Sequence, residues 1–209
     1  MNTVDLYAYE KELWEKGVSY VGGVDEVGRG PLIGPVVTAC VVLPHDFVLE
    51  GLTDSKKLTE KKREQFYDYI MEHAVCVKIG MCSPERIDEI NIYQASREAM
   101  IEAIEKVAKE IPLEHVLVDA MPLDIDIDTT SIIKGDAKSI TIAAASVIAK
   151  VTRDRMMIEL DHKYPMYGFG KHKGYPTKQH LEAIETYGLI EGYRKTYGPV
   201  KKILEGGKK

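Results

Sequence analysis

The chain has 209 residues, 44% of them hydrophobic and 29% charged, with a formal net charge of -5. These values fit a soluble globular chain with one well-packed core, and no apolar run approaches the roughly 18 residues of a membrane-spanning helix. The net charge argues against a basic footprint for nucleic acid, but it conceals an asymmetry: residues 1–133 hold 13 Lys+Arg and 25 Asp+Glu, residues 134–209 hold 15 and 8. A basic C-terminal third suits phosphate contacts or simply a solvated face.

In chain order, the first 17 residues mix acidic with apolar positions and have neither a basic n-region nor an uninterrupted apolar stretch, so they do not read as a signal peptide. Residues 19–43 read as two strands around a wide turn punctuated by Gly28, Gly30, Pro31, Gly34 and Pro35. Residues 59–74 suit an amphipathic helix with Thr59 as N-cap, and 75–82 a short strand. From Asn91 to Ile111 apolar residues recur at helical spacing. A strand at 114–120 ends in an acid, and Ser139–Asp161 is the clearest helix, its Ala143, Ala144, Ala145 and Ser146 small enough to lie close against a sheet. The tail LEGGKK is expected to fray. A hairpin followed by alternating strands and helices predicts an α/β domain built on a mixed sheet. Cys40, Cys76 and Cys82 are odd in number and lie in apolar stretches, which predicts buried free thiols in a reducing cytoplasm.

Asp25-Glu26 places two carboxylates in an otherwise apolar strand. Such burial requires compensation, either by a salt bridge, with Arg29 nearest in sequence, or by a hard divalent cation. Asp119 ends the strand VLVDA and Asp136 lies in KGDAKS, and acids at strand ends are where ligands of α/β sheets gather. Four carboxylates without a histidine or cysteine set favour Mg²⁺ or Mn²⁺ over Zn²⁺. Because side chains alternate faces along a strand, Glu26 can join Asp25 only from the strand's end or from a bulge.

Gly28-Arg29-Gly30-Pro31 does not match a dinucleotide fingerprint, and reads either as a tight turn or as glycine amides approaching a phosphate or sugar hydroxyl. Asp124, Asp126 and Asp128 alternate like a calcium loop, but Thr129 and Gly135 stand where such a loop needs Gly and Glu, so that reading is rejected. DSKKL, 54–58, is a charged turn or a phosphate contact. YGFGKHKGYPT, 167–177, is either a surface loop or an aromatic and lysine surface for nucleotides, with His172 a loop residue.

Together these segments resemble the ribonuclease HII family in five ordered blocks between about Gly22 and Gly198: GVDEVGRGPLIGPVV, DSKKL, VLVDA, KGDAKSITIAAASVIAKVTRD and YGFGKHKGYPT. The resemblance implies an RNase H-like fold: a mixed five-stranded sheet flanked by helices, as a single catalytic domain over 1–209, with an N-terminal extension of about 1–18 and a helical C-terminal portion of about 177–209. It implies Asp25, Glu26, Asp119 and Asp136 as catalytic ligands of two Mn²⁺ or Mg²⁺ ions, Asp25 bridging both. Substrate contacts would come from Gly28, Arg29 and Gly30 at the 2′-OH, from Lys56, and from Tyr175 against the sugar beyond an RNA-to-DNA junction. The substrates implied are RNA–DNA hybrids and duplex DNA with embedded ribonucleotides, cut to 3′-hydroxyl and 5′-phosphate ends by a cytoplasmic monomer in replication and ribonucleotide excision repair. Asp154 matches the fourth block and reads as structural or as a helix-surface residue. The match fails after YGP, where the chain runs VKKILEGGKK, and no sliding-clamp peptide is evident. About twenty residues precede the first strand, so an N-terminal substrate-binding domain of the HIII type is not expected. A non-catalytic hybrid-binding protein and a nuclease or integrase of the same broad fold are the rival readings.

Overall fold

The structure of the chain, a computed structural model, describes residues 5–206. The Val- and Gly-rich stretch after residue 19 forms β1 (Val21–Val27) and β2 (Val36–Val42), paired antiparallel in unbroken register from Gly22↔Val42 to Val27↔Val37. β3 (Cys76–Cys82) joins β2 antiparallel, whereas β4 (His115–Asp119) joins β1 in parallel and β5 (Asp128–Ile132) joins β4 in parallel. The order β3-β2-β1-β4-β5 is the expected mixed five-stranded sheet, with β1 at its centre. β5 is not visible in the sequence. Its DTTSI is polar at four of five positions because it lies at the sheet edge, where only Ile132 is buried.

Helices cover both faces. α1 (Ala8–Glu15) precedes the sheet, α2 (Glu60–His73) and α3 (Pro84–Ala108) flank β3, and α4 (Ile140–Lys163) follows β5. α5 (Phe169–His172), α6 (Lys178–Tyr187) and α7 (Gly198–Gly206) close the chain. The Thr59 hydroxyl accepts from the Lys62 amide and caps α2 as expected, and Ser139 caps α4 in the same way through the Ile142 amide. α3 departs from expectation. It starts at Pro84 behind a Ser83 cap, and is broken at Asn91 (φ 68°, ψ 164°), whose Oδ1 accepts from the Tyr93 and Gln94 amides. The apolar period beginning at Asn91 is therefore the second of two abutting helices, and it ends at Ala108 rather than Ile111. Leu204–Gly206 belong to α7, so this part of the tail is ordered helix; residues 207–209 lie outside the described residues.

α2 and α4 bury Ala39, Val41, Ala143, Ala144 and Val147 on one face of the sheet, while α3 buries Val24, Cys40, Val42, Met100 and Val107 on the other. The three cysteines are buried and unpaired, and among the described residues no helix is long and apolar enough to cross a membrane. The N-terminal helix is tied down by Glu10, fully buried, whose Oε1 accepts from the hydroxyls of Ser139 (2.6 Å) and Thr141 (2.8 Å) and from the Thr141 amide at the start of α4.

The contact that sets the distance between α4 and the sheet is at Gly23, where a Cβ would lie 2.3 Å from the Thr141 carbonyl carbon and 2.4 Å from the Ile142 nitrogen. Backbone cannot move aside as a side-chain tip can. Gly23→Ala is expected to destabilise the protein by about 1–3 kcal/mol in urea denaturation with an unchanged slope; stability equal to the parent's would show that helix and sheet are not so closely held.

Candidate active site

β1 and β4 pair only as far as Val24↔Val118, so the next residues of both strands, Asp25 and Asp119, stand at the open end of the parallel pair. Asp25 shares the strand face of Val21 and Asp119 that of Leu117, and Val21 and Leu117 both pack against Ile142 of α4. Glu26 has the opposite parity, and no bulge corrects it. It reaches the site from the strand's end: the β1–β4 pairing stops at Val24, and its longer side chain brings a carboxylate oxygen within 4.8 Å of both aspartates.

The trio has few protein partners. Asp25 Oδ1 accepts from the Glu26 amide (2.7 Å) and Asp119 Oδ1 from the Gly135 amide (2.6 Å), while Glu26 Oε2 is buried with no partner. Arg29, the nearest salt-bridge candidate, approaches only Glu26, at 3.5 Å and from a half-exposed position. An orphaned buried oxygen in an all-carboxylate set fits a hard divalent cation such as Mg²⁺ or Mn²⁺. Asp136 lies outside the trio, on a 3-10 turn at Gly135–Ala137. It lines a hollow of about 490 Å³ together with Asp54, Lys56, Lys134 and Asp119.

A second hollow, of about 290 Å³, lies among Asp25, Glu26, Ser55, Lys56, Ser146 and Tyr175, so Lys56 stands on a wall common to both. Burial opposes the charge on Lys56, but Asp25, Asp54 and Asp136 outweigh it and push its pKa up. Gly30 is exposed and a Cβ there would lie 3.2 Å from the Tyr175 ring, so the turn and Tyr175 form one surface. Gly28 is required for two reasons: φ is 95°, and a Cβ would lie 2.3 Å from Arg153 Nε. The aromatic pattern of 167–177 divides. Tyr167 and Phe169 are core residues and only Tyr175, 39% exposed, faces the cleft. His172 is also buried, stacked on His180 at 4.3 Å.

Several residues at the site carry no sequence signal of their own. The Ser146 hydroxyl, inside a run of small helix residues, lines the hollow beside Asp25 and lies 2.8 Å from the Ser55 hydroxyl. Arg63, on a face of α2 that reads as solvated, donates to the Ser55 carbonyl (3.1 Å) and fixes the turn bearing Lys56. Asp154 is buried and paired with Lys150 at 2.7 Å, which makes it structural.

A mixed sheet in this strand order, with acids gathered at the end of its central parallel pair, defines a hydrolase of the RNase H fold. The family model for Ribonuclease HII matches residues 22–196. The chain is 58% identical over 202 residues to the ribonuclease HII of Bacillus mycoides (strain KBAB4), covering 97% of this chain and 78% of that protein. Ribonuclease H2 from Pyrococcus horikoshii OT3 superposes with a TM-score of 0.75 at 29% identity, covering 91% of this chain and 99% of that one. RNase HII from Archaeoglobus fulgidus, solved in complex with PCNA, gives 0.71 at 26% identity, covering 86% and 95%. The chain belongs to the ribonuclease HII family. It is accordingly an endonuclease that cleaves the RNA strand of RNA–DNA hybrids. The clamp is a finding about the archaeal protein; it does not sit with an expectation that rested only on a peptide pattern missing from this sequence.

Burial, then the carboxylates of Glu26 and Asp119, raise the Asp25 carboxyl well above the usual range. Burial also raises Glu26, with Arg29 opposing and Asp119 adding, and raises Asp136, with Asp54 and Asp119 adding. A carboxyl raised above its unfolded value near ~4 contributes stability that is complete below that pH and lost as pH rises through the folded value. Metal-free protein is thus expected to lose stability as pH rises above about 4. At neutral pH with chelator, Asp25→Asn should raise Tm by about 2–4 °C for each kcal/mol of repulsion removed, and Mn²⁺ should raise the parent's Tm more than the variant's. Thermal melts across that pH range decide it, a variant Tm below the parent's being the contrary result.

Proposed function

We propose that the chain nicks duplex DNA on the 5′ side of single embedded ribonucleotides, besides cutting longer hybrids, and leaves 3′-hydroxyl and 5′-phosphate ends. The observation that carries this is the convergence of Asp25, Glu26 and Asp119 within 4.8 Å beside a hollow that Tyr175 also lines. Asp25, Glu26, Asp119 and Asp136 would hold two divalent cations, Mg²⁺ or Mn²⁺, with Asp25 shared. When bound, the pair supplies activation of water and charge stabilisation on the departing 3′-oxygen of an in-line displacement.

The remaining roles belong to the chain's own groups. Lys56, kept protonated by the acids around it, holds a phosphate between the two hollows. Gly28, Arg29 and Gly30 read the 2′-hydroxyl, the group that separates RNA from DNA at one position. Tyr175 packs on the sugar beyond the junction, its backbone fixed by its amide on the His172 carbonyl (2.9 Å) and by its carbonyl on His180 Nδ1 (2.8 Å). We read the chain as a single cytoplasmic catalytic unit acting as a monomer in replication and ribonucleotide excision repair.

Matched DNA duplexes with zero, one and four ribonucleotides test this. The first should stay intact, the second be cut once on the 5′ side of the ribonucleotide, and the third be cut within its RNA, each only with Mg²⁺ or Mn²⁺. An intact single-ribonucleotide duplex beside rapid hybrid cleavage would remove the junction-reading part, and cutting of the all-DNA duplex would point to a broader nuclease. Asp25→Asn should keep duplex binding and lose about 10²–10³-fold or more in cleavage rate. Tyr175→Ala should cost about tenfold on the single-ribonucleotide duplex, the size of one lost stacking contact.

A further inference from the structure

Arg153 and Arg194 are both fully buried, and among the described residues neither has a carboxylate at ion-pair distance; the neighbouring Asp154 pairs with Lys150 and Arg63 instead. A buried guanidinium is costly unless its N–H groups are satisfied. Backbone carbonyls take most of them, and the Tyr197 hydroxyl accepts from Arg194 Nη1 at 2.9 Å. Arg153 donates to Pro35 (3.1 Å), Ile33 (3.1 Å) and Lys173 (2.9 Å), and Arg194 to Gly28 (2.6 Å), Gly34 (2.8 Å) and Arg29 (3.0 Å). The Tyr197 hydroxyl also donates to the Arg29 carbonyl, at 2.6 Å.

Five carbonyls of the 28–35 segment therefore point inward to two cations. In a trans peptide the C=O and the following N–H point in opposite directions. With the carbonyls of Gly28 and Arg29 held inward, the amides of Arg29 and Gly30 are directed outward, and among the described residues neither donates to a protein acceptor. Arg153 also spans from this turn to the segment bearing Tyr175, where the Leu32 amide donates to the Gly174 carbonyl (2.8 Å).

We propose that Arg194 is a positioning residue for ribonucleotide selectivity, which aims the Arg29 and Gly30 amides at the sugar hydroxyl by taking the carbonyls behind them, while Arg153 braces the following stretch at Ile33 and Pro35. This rests on the reading of the Gly28–Gly30 turn as the hydroxyl sensor. The forked guanidinium is essential to it, since a lysine of equal charge cannot take three separate carbonyls in a fixed plane.

The test compares KM for a single-ribonucleotide duplex with Ki for an all-DNA duplex of the same sequence used as competitor, on purified full-length protein. Arg194→Lys should raise KM about tenfold and leave Ki within about twofold, because the phosphate grip is untouched. Partial unfolding would instead lower kcat per total protein and leave both constants unchanged. Tyr197→Phe removes the hydroxyl that donates to the Arg29 carbonyl and accepts from Arg194 Nη1, but keeps both guanidiniums and the ring beside Arg194, so it should shift KM the same way by about threefold. A KM-to-Ki ratio within about twofold of the parent's in both variants would overturn the proposal. Gly30→Ala separates the two readings: a raised KM-to-Ki ratio there with unchanged ratios in the other variants sinks the bracing role alone, whereas an unchanged ratio for Gly30→Ala removes the sensor itself.

Discussion

Asp25 is held in the central strand of the sheet, buried against α4, with no cationic side chain at ion-pair distance among the described residues. Much of the surrounding construction follows from that burial. α4 can exclude water from the carboxylate only by lying very close to β1, which requires glycine at position 23 and small residues along Ala143–Ser146. The same closeness sets Ser146 in the hollow beside Asp25, and the Ser55 hydroxyl bonds the Ser146 hydroxyl, so the turn that carries Lys56 is fixed to the helix that covers the acid. A sheet end built in this way raises the free energy of its own carboxylates, and an incoming divalent cation relieves it.

Buried charge is treated in two opposite ways within this fold. Arg194 is saturated, its donors meeting backbone carbonyls and the Tyr197 hydroxyl, and each nitrogen of Arg153 donates to a backbone carbonyl. Asp25, Glu26 and Asp119 are under-saturated, with backbone amides on two of them and none of the buried donors that Glu26 Oε2 would need. Glu10 Oε2 is also buried without a partner, so the lone unpaired oxygen is not what sets the acid cluster apart; the gathering of three carboxylates within 4.8 Å is. The contrast also disposes of the salt-bridge reading of Asp25-Glu26. Arg29 is half-exposed and reaches only Glu26, so it balances little of the charge. A non-catalytic binding protein would have had good reason to neutralise the acids, and membership of the ribonuclease HII family makes the chain an enzyme.

Most of the regular elements were legible because each carries a local signal. Thr59 and Ser139 are caps, the apolar period marks α4, and alternating valines around glycines mark the hairpin. Where the signal is absent or shared, the sequence misleads. β5 is polar because only its last residue faces the core, and the aromatic residues of 167–177 look alike although Tyr167 and Phe169 pack inward and Tyr175 does not. The break in α3 at Asn91 is hidden for a related reason: an Asn that caps one helix sits in the middle of an unbroken run of helix-forming residues.

The sequence by itself determined the family and the sheet class and picked out Asp25, Glu26, Asp119 and Asp136 as candidate acids, since block order is a property of the chain read end to end. Only the tertiary structure decided how they meet. The parallel pairing of β1 with β4 sets Asp25 beside Asp119, and it stops at Val24, so Glu26 reaches the site from the strand's end despite its opposite parity. Equally, no local pattern announces that Arg194, far along the chain, lies behind Gly28 and Arg29, because a side chain satisfied by distant backbone carbonyls leaves no mark in its own neighbourhood.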